Sequence, residues 1–210
     1  MPHETNFTSY SDIYREQLTK AILESRKLGF ERPAIISADV HVSDEILRET
    51  SQLLSELSGL FDLILPGYWG NSCQTLSTNI FARLNQHGIP ANIVLGNVLV
   101  NGTDEFEATL ERLQCEVRLT EPLSGDQHVH AWISLGDDTV VDAALPPRLV
   151  KLYKAPQQLD GMIFIGRAGE MKARFGVQYV PLLVGTEFFA RTNPPDPMKL
   201  LNTLISGRAR

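Results

Sequence analysis

Apolar residues recur at helical spacing through the first third of the chain and at strand spacing through the middle. Over residues 10–28, Ile13, Leu18, Ala21, Ile22 and Leu28 stand among charged residues, which predicts an amphipathic helix ended by Gly29. Ala34-Ile35-Ile36 reads either as a short strand or as an extended connection. Ser43 is a good N-cap, followed by Asp44 and Glu45 in the turn where a helix dipole favours negative charge. Ile46, Leu47, Leu53, Leu54, Leu57 and Leu60 continue that helix, and the apolar run 61–65 stops at Pro66-Gly67. A third helix is predicted over 73–86. Its Leu76, Ile80 and Leu84 share one face, Cys73 lies near that face, and His87-Gly88-Ile89-Pro90 ends it, with His87 read as a helix C-terminal cation.

Strand signals follow. Residues 91–100 are rich in β-formers and end at Asn101-Gly102, a turn signal. Residues 106–113 read as a helical turn or a loop insertion, and 115–119 alternate like a strand. Residues 128–135 and 139–143 read as two strands joined by Gly136-Asp137-Asp138. A three-residue turn there sets Trp132 opposite Asp142, with His130 diagonal to it on the same face; a two-residue turn reverses that parity. Two more strands are predicted over 162–165 and 177–184. Phe188, Phe189 and Asn193-Pro194-Pro195 precede a last short helix over 198–205. Helices first and strands afterwards, with no repeat or composition shift, predict one α+β domain over 1–210.

Composition narrows the function classes. The chain has 210 residues, 43% of them hydrophobic, enough to bury a proper core. Its net charge is −6 and it has no basic stripe, so nucleic-acid binding lacks electrostatic support. Arg208 and Arg210 read as a solvated tail. The first residues show no basic segment followed by an apolar run, and no apolar stretch approaches the roughly 20 residues of a membrane span. The expectation is a cytoplasmic protein with no membrane partner. Two cysteines are too few for a disulfide framework. Cys115 reads as a buried apolar thiol, and a Cys73–Cys115 bridge stays open.

The chemistry centres on Cys73, in W-G-N-S-C-Q-T-L, then His130, in H-V-H-A-W, then Asp142, in V-V-D-A-A. A thiol is a poor nucleophile until its proton is removed; an imidazole can remove it, and a carboxylate can hold the imidazole in the useful tautomer. A helix N-terminus and a neighbouring imidazolium both favour thiolate, and the helix-end N–H groups, that of Cys73 included, can bind an oxyanion. Tyr68 and Trp69 are candidates for a second oxyanion donor. His128 rivals His130, because residues two apart on a strand share a face, and is read as a rim or substrate-side residue. Trp132 is expected to pack beneath the site. A zinc site from Cys73, His128 and His130 is the weaker alternative. No G-x-x-x-x-G-K pattern follows Gly161 or Gly166, so no phosphate loop is predicted.

Three pieces in order, C-Q-T-L-S-T-N-I-F-A-R-L-N-Q-H-G-I-P-A-N-I-V-L-G, H-A-W-I-S and V-V-D-A-A, resemble the transglutaminase-like cysteine hydrolase superfamily over residues 69–145. In that family a cysteine opens a helix ending in a G-I-P-A turn, the next strand runs to a glycine, here Gly96, and the histidine and aspartate lie on the strands after it. The resemblance implies a papain-like core over about 66–146, with its nucleophile helix packed on an antiparallel sheet and residues 1–65 and 147–210 as embellishments. Matched position by position, it implies Cys73 as nucleophile, His130 as base and Asp142 as orienting residue. It implies acyl transfer through a thioester on a peptide, protein or small amide substrate, with no metal or organic cofactor. Arylamine N-acetyltransferases share the same Cys-His-Asp logic. Gln74 departs from the pattern, since the family often has an aromatic or acidic residue after the cysteine. The contrary expectation is a catalytically silent binding or scaffold module, with Phe188, Phe189 and the Pro-rich segment as a protein-binding surface.

Overall fold

The computed structural model describes residues 9–31, 34–119, 127–192 and 196–208. Asn193-Pro194-Pro195 and Arg210 lie outside the described residues. The fold is α+β, with helices on both faces of a six-stranded antiparallel sheet.

The first three helices form where the apolar stripes predict them. They are α1 (Tyr10–Lys27), α2 (Asp44–Ile64) and α3 (Cys73–Gln86). Ser9 and Ser43 cap the first two by accepting from the amides of Asp12 and Ile46. Residues 34–36 form the extended connection and pair with no strand. Asn92 holds them, accepting from the Ile35 and Ile36 amides at 2.6 and 3.1 Å and donating to the Ile36 carbonyl at 2.7 Å.

The sheet is built on β1 (Asn92–Val100). One edge of β1 pairs with β6 (Val177–Val184). The other pairs with β3 (His130–Ser134) and, further along, with the two-residue β2 (Thr103–Asp104). Beyond β3 come β4 (Thr139–Asp142) and β5 (Phe164–Arg167). Ile133 pairs with Val141, so Trp132 lies opposite Asp142, the parity of the three-residue turn.

Two apolar layers sandwich the sheet. One joins α2, α3, α4 (Leu110–Arg118), α7 (Glu187–Thr192) and α8 (Pro197–Arg208) to Ile93, Leu95, Ala131 and Ile133. The other joins α1, α5 (Leu145–Tyr153) and α6 (Ala168–Phe175) to Val94, Val98, Trp132 and Tyr179. Leu18 and Leu54 are fully buried, each worth about 1.5–3 kcal/mol of transfer free energy. The core is therefore wider than 66–146. The strand β6 belongs to the central sheet, and α1 supplies Tyr14 and Leu18 to the second layer, so neither flank is a mere embellishment.

Residues 110–118 correct the strand expected over 115–119. They form a helix capped by Thr109, because Leu113 and Val117 recur four apart and bury one face along with Glu116. Cys115 sits on the outward face and is exposed, not a buried apolar thiol; both cysteines are free. Gly96 pairs with His130 across β1 and β3, and a side chain there would collide with the Val180 carbonyl and the Trp132 ring. A glycine at this position lets β6 and Trp132 close on the strand that carries His130.

Candidate active site

A 3-10 turn, Trp69–Asn71, leads into α3, and the Ser72 amide bonds the Trp69 carbonyl at 2.9 Å. Ser72 makes no side-chain cap, so Cys73 opens the helix with its amide lacking an intrahelical acceptor. One turn inside, Ser77 Oγ donates to the Ala131 carbonyl at 2.9 Å and stitches α3 to β3. This sets the thiol at the entry of β3, with Cys73 Sγ 3.8 Å from the Val129 carbonyl oxygen. The thiol residue is 9% exposed.

His130, the first residue of β3, bonds Asp142 through Nε2 at 2.6 Å. Asp142 Oδ2 also accepts the Tyr179 hydroxyl at 3.0 Å, while Oδ1 accepts the amides of Ala144 and Leu145 at 2.9 and 3.1 Å. A carboxylate offers about four acceptor positions, and all four are used. His130 Nδ1 makes no hydrogen bond of normal length among the described residues. The Cys73 thiol is close enough to add its own stabilisation of the charged ring. Burial alone pushes the His130 pKa down; the charge and hydrogen bond of Asp142, then the thiol, outweigh it and lift the value to about 10. The ring is thus an imidazolium at neutral pH, with Nε2–H donating to Asp142.

That shift has a consequence for stability. A raised folded-state pKa contributes stability fully present below the unfolded value of 6.5 and lost as pH rises through about 10. The urea midpoint is expected to fall from pH 6.5 to pH 9, and His130→Gln is expected to flatten that slope. A midpoint climbing over this range in the native chain contradicts the assignment.

The imidazole has a floor and a roof. Trp132 lies 5.9 Å from it, ring centre to ring centre, and donates its indole N–H to Tyr14 Oη at 2.9 Å. Phe106 stacks on it at 4.8 Å and 21°. The Arg148 guanidinium covers Phe106, also at 4.8 Å. Arg148 also pairs with Glu105, which in turn accepts from Tyr153, and donates to Asn71 at 3.2 Å, two residues before the thiol. His130 is left 1% exposed.

Cys73, His130, Asp142 and Trp132 meet as their spacing suggests. The Trp69 indole N–H is already engaged: its ring packs edge-on to Phe61 and the N–H goes to the Leu65 carbonyl at 3.2 Å. Tyr68 instead presents its ring face to Lys151 and folds back over Gly70. His128 precedes the strand and is exposed, because β3 starts at His130. Gln74 is bonded to Gln127, which donates to Glu116 of α4 at 3.2 Å. Sequence reasoning missed Phe106 and Tyr179. Alternation marks Tyr179 as inward-facing, but a tyrosine among Val177 and Leu183 reads first as core filling. Among the described residues no cluster of His, Cys, Asp and Glu is placed to hold a metal ion, and no helix is long and apolar enough to cross a membrane. The chain matches no protein-family model, no curated protein and no solved structure.

Proposed function

We propose that this protein is a cysteine-dependent acyl-transfer enzyme with a transglutaminase-like, papain-like core, acting on an amide or peptide carbonyl. The observation that carries the reading is the buried Asp142–His130 pair, with its free Nδ1 on the side of a thiol at a helix start. In the resting site the thiol proton resides on His130 Nδ1. The Cys73 sulfur attacks the carbonyl carbon, an S–C bond forms, and the π pair moves to the oxygen. The Cys73 amide donates to that oxyanion. Collapse breaks the C–N bond, and the leaving amine takes the proton from Nδ1. Water or an acceptor amine then gives a proton to Nδ1 as it attacks the thioester, the C–S bond breaks, and the thiolate–imidazolium pair is restored. Asp142 holds the ring throughout.

The test is intact mass after acid quench, following incubation with ester, thioester and amide acyl donors. One acyl group is expected on the native chain and none on Cys73→Ala. No adduct from any donor, or an adduct that survives Cys73→Ala, overturns the reading. The donor that acylates also separates a hydrolase from an acetyltransferase. A specific observation favours the second reading, a catalytically silent module: the Phe106 roof leaves the imidazole 1% exposed. If the roof merely gates a working site, Phe106→Ala acylates faster than the native chain. If the module reading is right, neither acylates.

A further inference from the structure

The second donor on Asp142 Oδ2 has no counterpart in the sequence reading. Tyr179 comes from β6, separated from β4 by β1 and β3, and its hydroxyl proton goes to the same carboxylate oxygen that receives His130 Nε2–H. The phenol is fully buried, and its ring packs 5.1 Å from Trp132 and 6.4 Å from His130. Packing alone asks only for a phenylalanine. The hydroxyl does more, because two donors on one oxygen divide its negative charge between them. Without the phenol, Asp142 would give that charge to the imidazolium alone, and the ring would release its proton less readily.

We infer that Tyr179 is a positioning residue for the Asp142–His130 pair: its hydroxyl fixes the carboxylate against β6 and restrains the proton affinity of the imidazole. Tyr179 is itself held by α1, where Tyr10 Oη donates to its backbone carbonyl at 2.7 Å. Burial, then the neighbouring Asp142 charge, keep the phenol protonated, so it acts as a donor across the ordinary pH range. The groups facing His130 are Cys73 from α3, Asp142 from β4 and Tyr179 from β6. Tyr14 of α1 stands behind Trp132, and Glu105 and Arg148 stand beyond Phe106. Tyr179 is the neutral donor in this set that touches the carboxylate directly.

The purpose of the restraint rests on the acyl-transfer reading, but its test does not. The His130 ring is titrated by NMR in the full chain carrying labelled histidine, and its signal is identified by its loss in His130→Gln. Tyr179→Phe is expected to raise the His130 midpoint by about half a pH unit or more. The same change made on an Asp142→Asn background is expected to leave the midpoint where it was. An unmoved midpoint in Tyr179→Phe, or an equal rise on both backgrounds, overturns the proposal. Should Tyr179→Phe fail to fold, 3,5-difluorotyrosine placed at 179 alone keeps the shape and strengthens the donor. It is then expected to lower the midpoint, and a rise or no change overturns the proposal. A moved midpoint in a chain that no donor acylates would leave this inference standing and sink the enzymatic one.

Discussion

Alkylation of Cys73 by iodoacetamide at pH 6 is expected to slow on the order of 100-fold in His130→Gln, while Cys115 keeps its native rate. The size follows from ionisation. An unassisted thiol with the free-cysteine value near 8.5 is well under ~1% thiolate at pH 6. A thiol that has passed its proton to an imidazole reacts as thiolate at the same pH. Glutamine is the chosen replacement because its amide can still donate to Asp142, which limits the structural damage. The two free cysteines make the comparison internal, because they react in one tube. The competition is set against Cys73, which is 9% exposed while Cys115 lies open on α4. If Cys115 outpaces Cys73 in the native chain, access has won over activation and the activated-thiol claim fails. Peptide mapping by mass spectrometry reads both rates.

The largest loss of stability is expected from Asp142→Ala, about 3–5 kcal/mol in urea or guanidinium unfolding at pH 6. Asp142 is buried and receives four donors: the imidazole, the Tyr179 phenol and the amides of Ala144 and Leu145. Alanine leaves all four without their acceptor and strands a buried cation. The imidazole can escape by losing its proton, so the loss is expected to be smaller at pH 8 than at pH 6. Asn at 142 retains acceptor oxygen for the two amides and is expected to fall between alanine and the native residue. A loss below about 1 kcal/mol at pH 6 would falsify the view that this carboxylate anchors the site.

Most of the site could be read from the chain because its positions are fixed by local rules. A three-residue turn at Gly136-Asp137-Asp138, one of the two parities the chain allows and the one it adopts, puts His130 and Asp142 on one face, and the apolar stripe of α3 placed Cys73 at a helix start. What escaped was set by tertiary contact. Residues 115–119 alternate apolar and charged positions and so imitate a strand, and only the burial of Leu113 and Val117 on one face decides for a helix. Phe106 follows a two-residue strand and is aimed at His130 by Asp104, whose carboxylate takes the Phe106 and Glu107 amides at 3.1 and 2.6 Å. Nothing in the local sequence announces that target. Tyr179 needed the pairing of β6 with β1, a contact between segments about eighty residues apart that no short-range pattern encodes. The partner of the Trp69 indole was not legible either, because an N–H facing inward has several carbonyls to choose from, and Leu65 is the one it takes.

The helix at the beginning of the chain grips the strand that carries Tyr179 at both ends. Ser25 Oγ takes the Val184 amide at 2.7 Å, and Tyr10 reaches the Tyr179 carbonyl. Trimming a recombinant version back to the stretch that resembles known hydrolases would therefore strip the buttress from behind the reactive groups. Such a fragment would offer a bare sheet face to its neighbours, and silence in an assay of it would say nothing about the intact molecule.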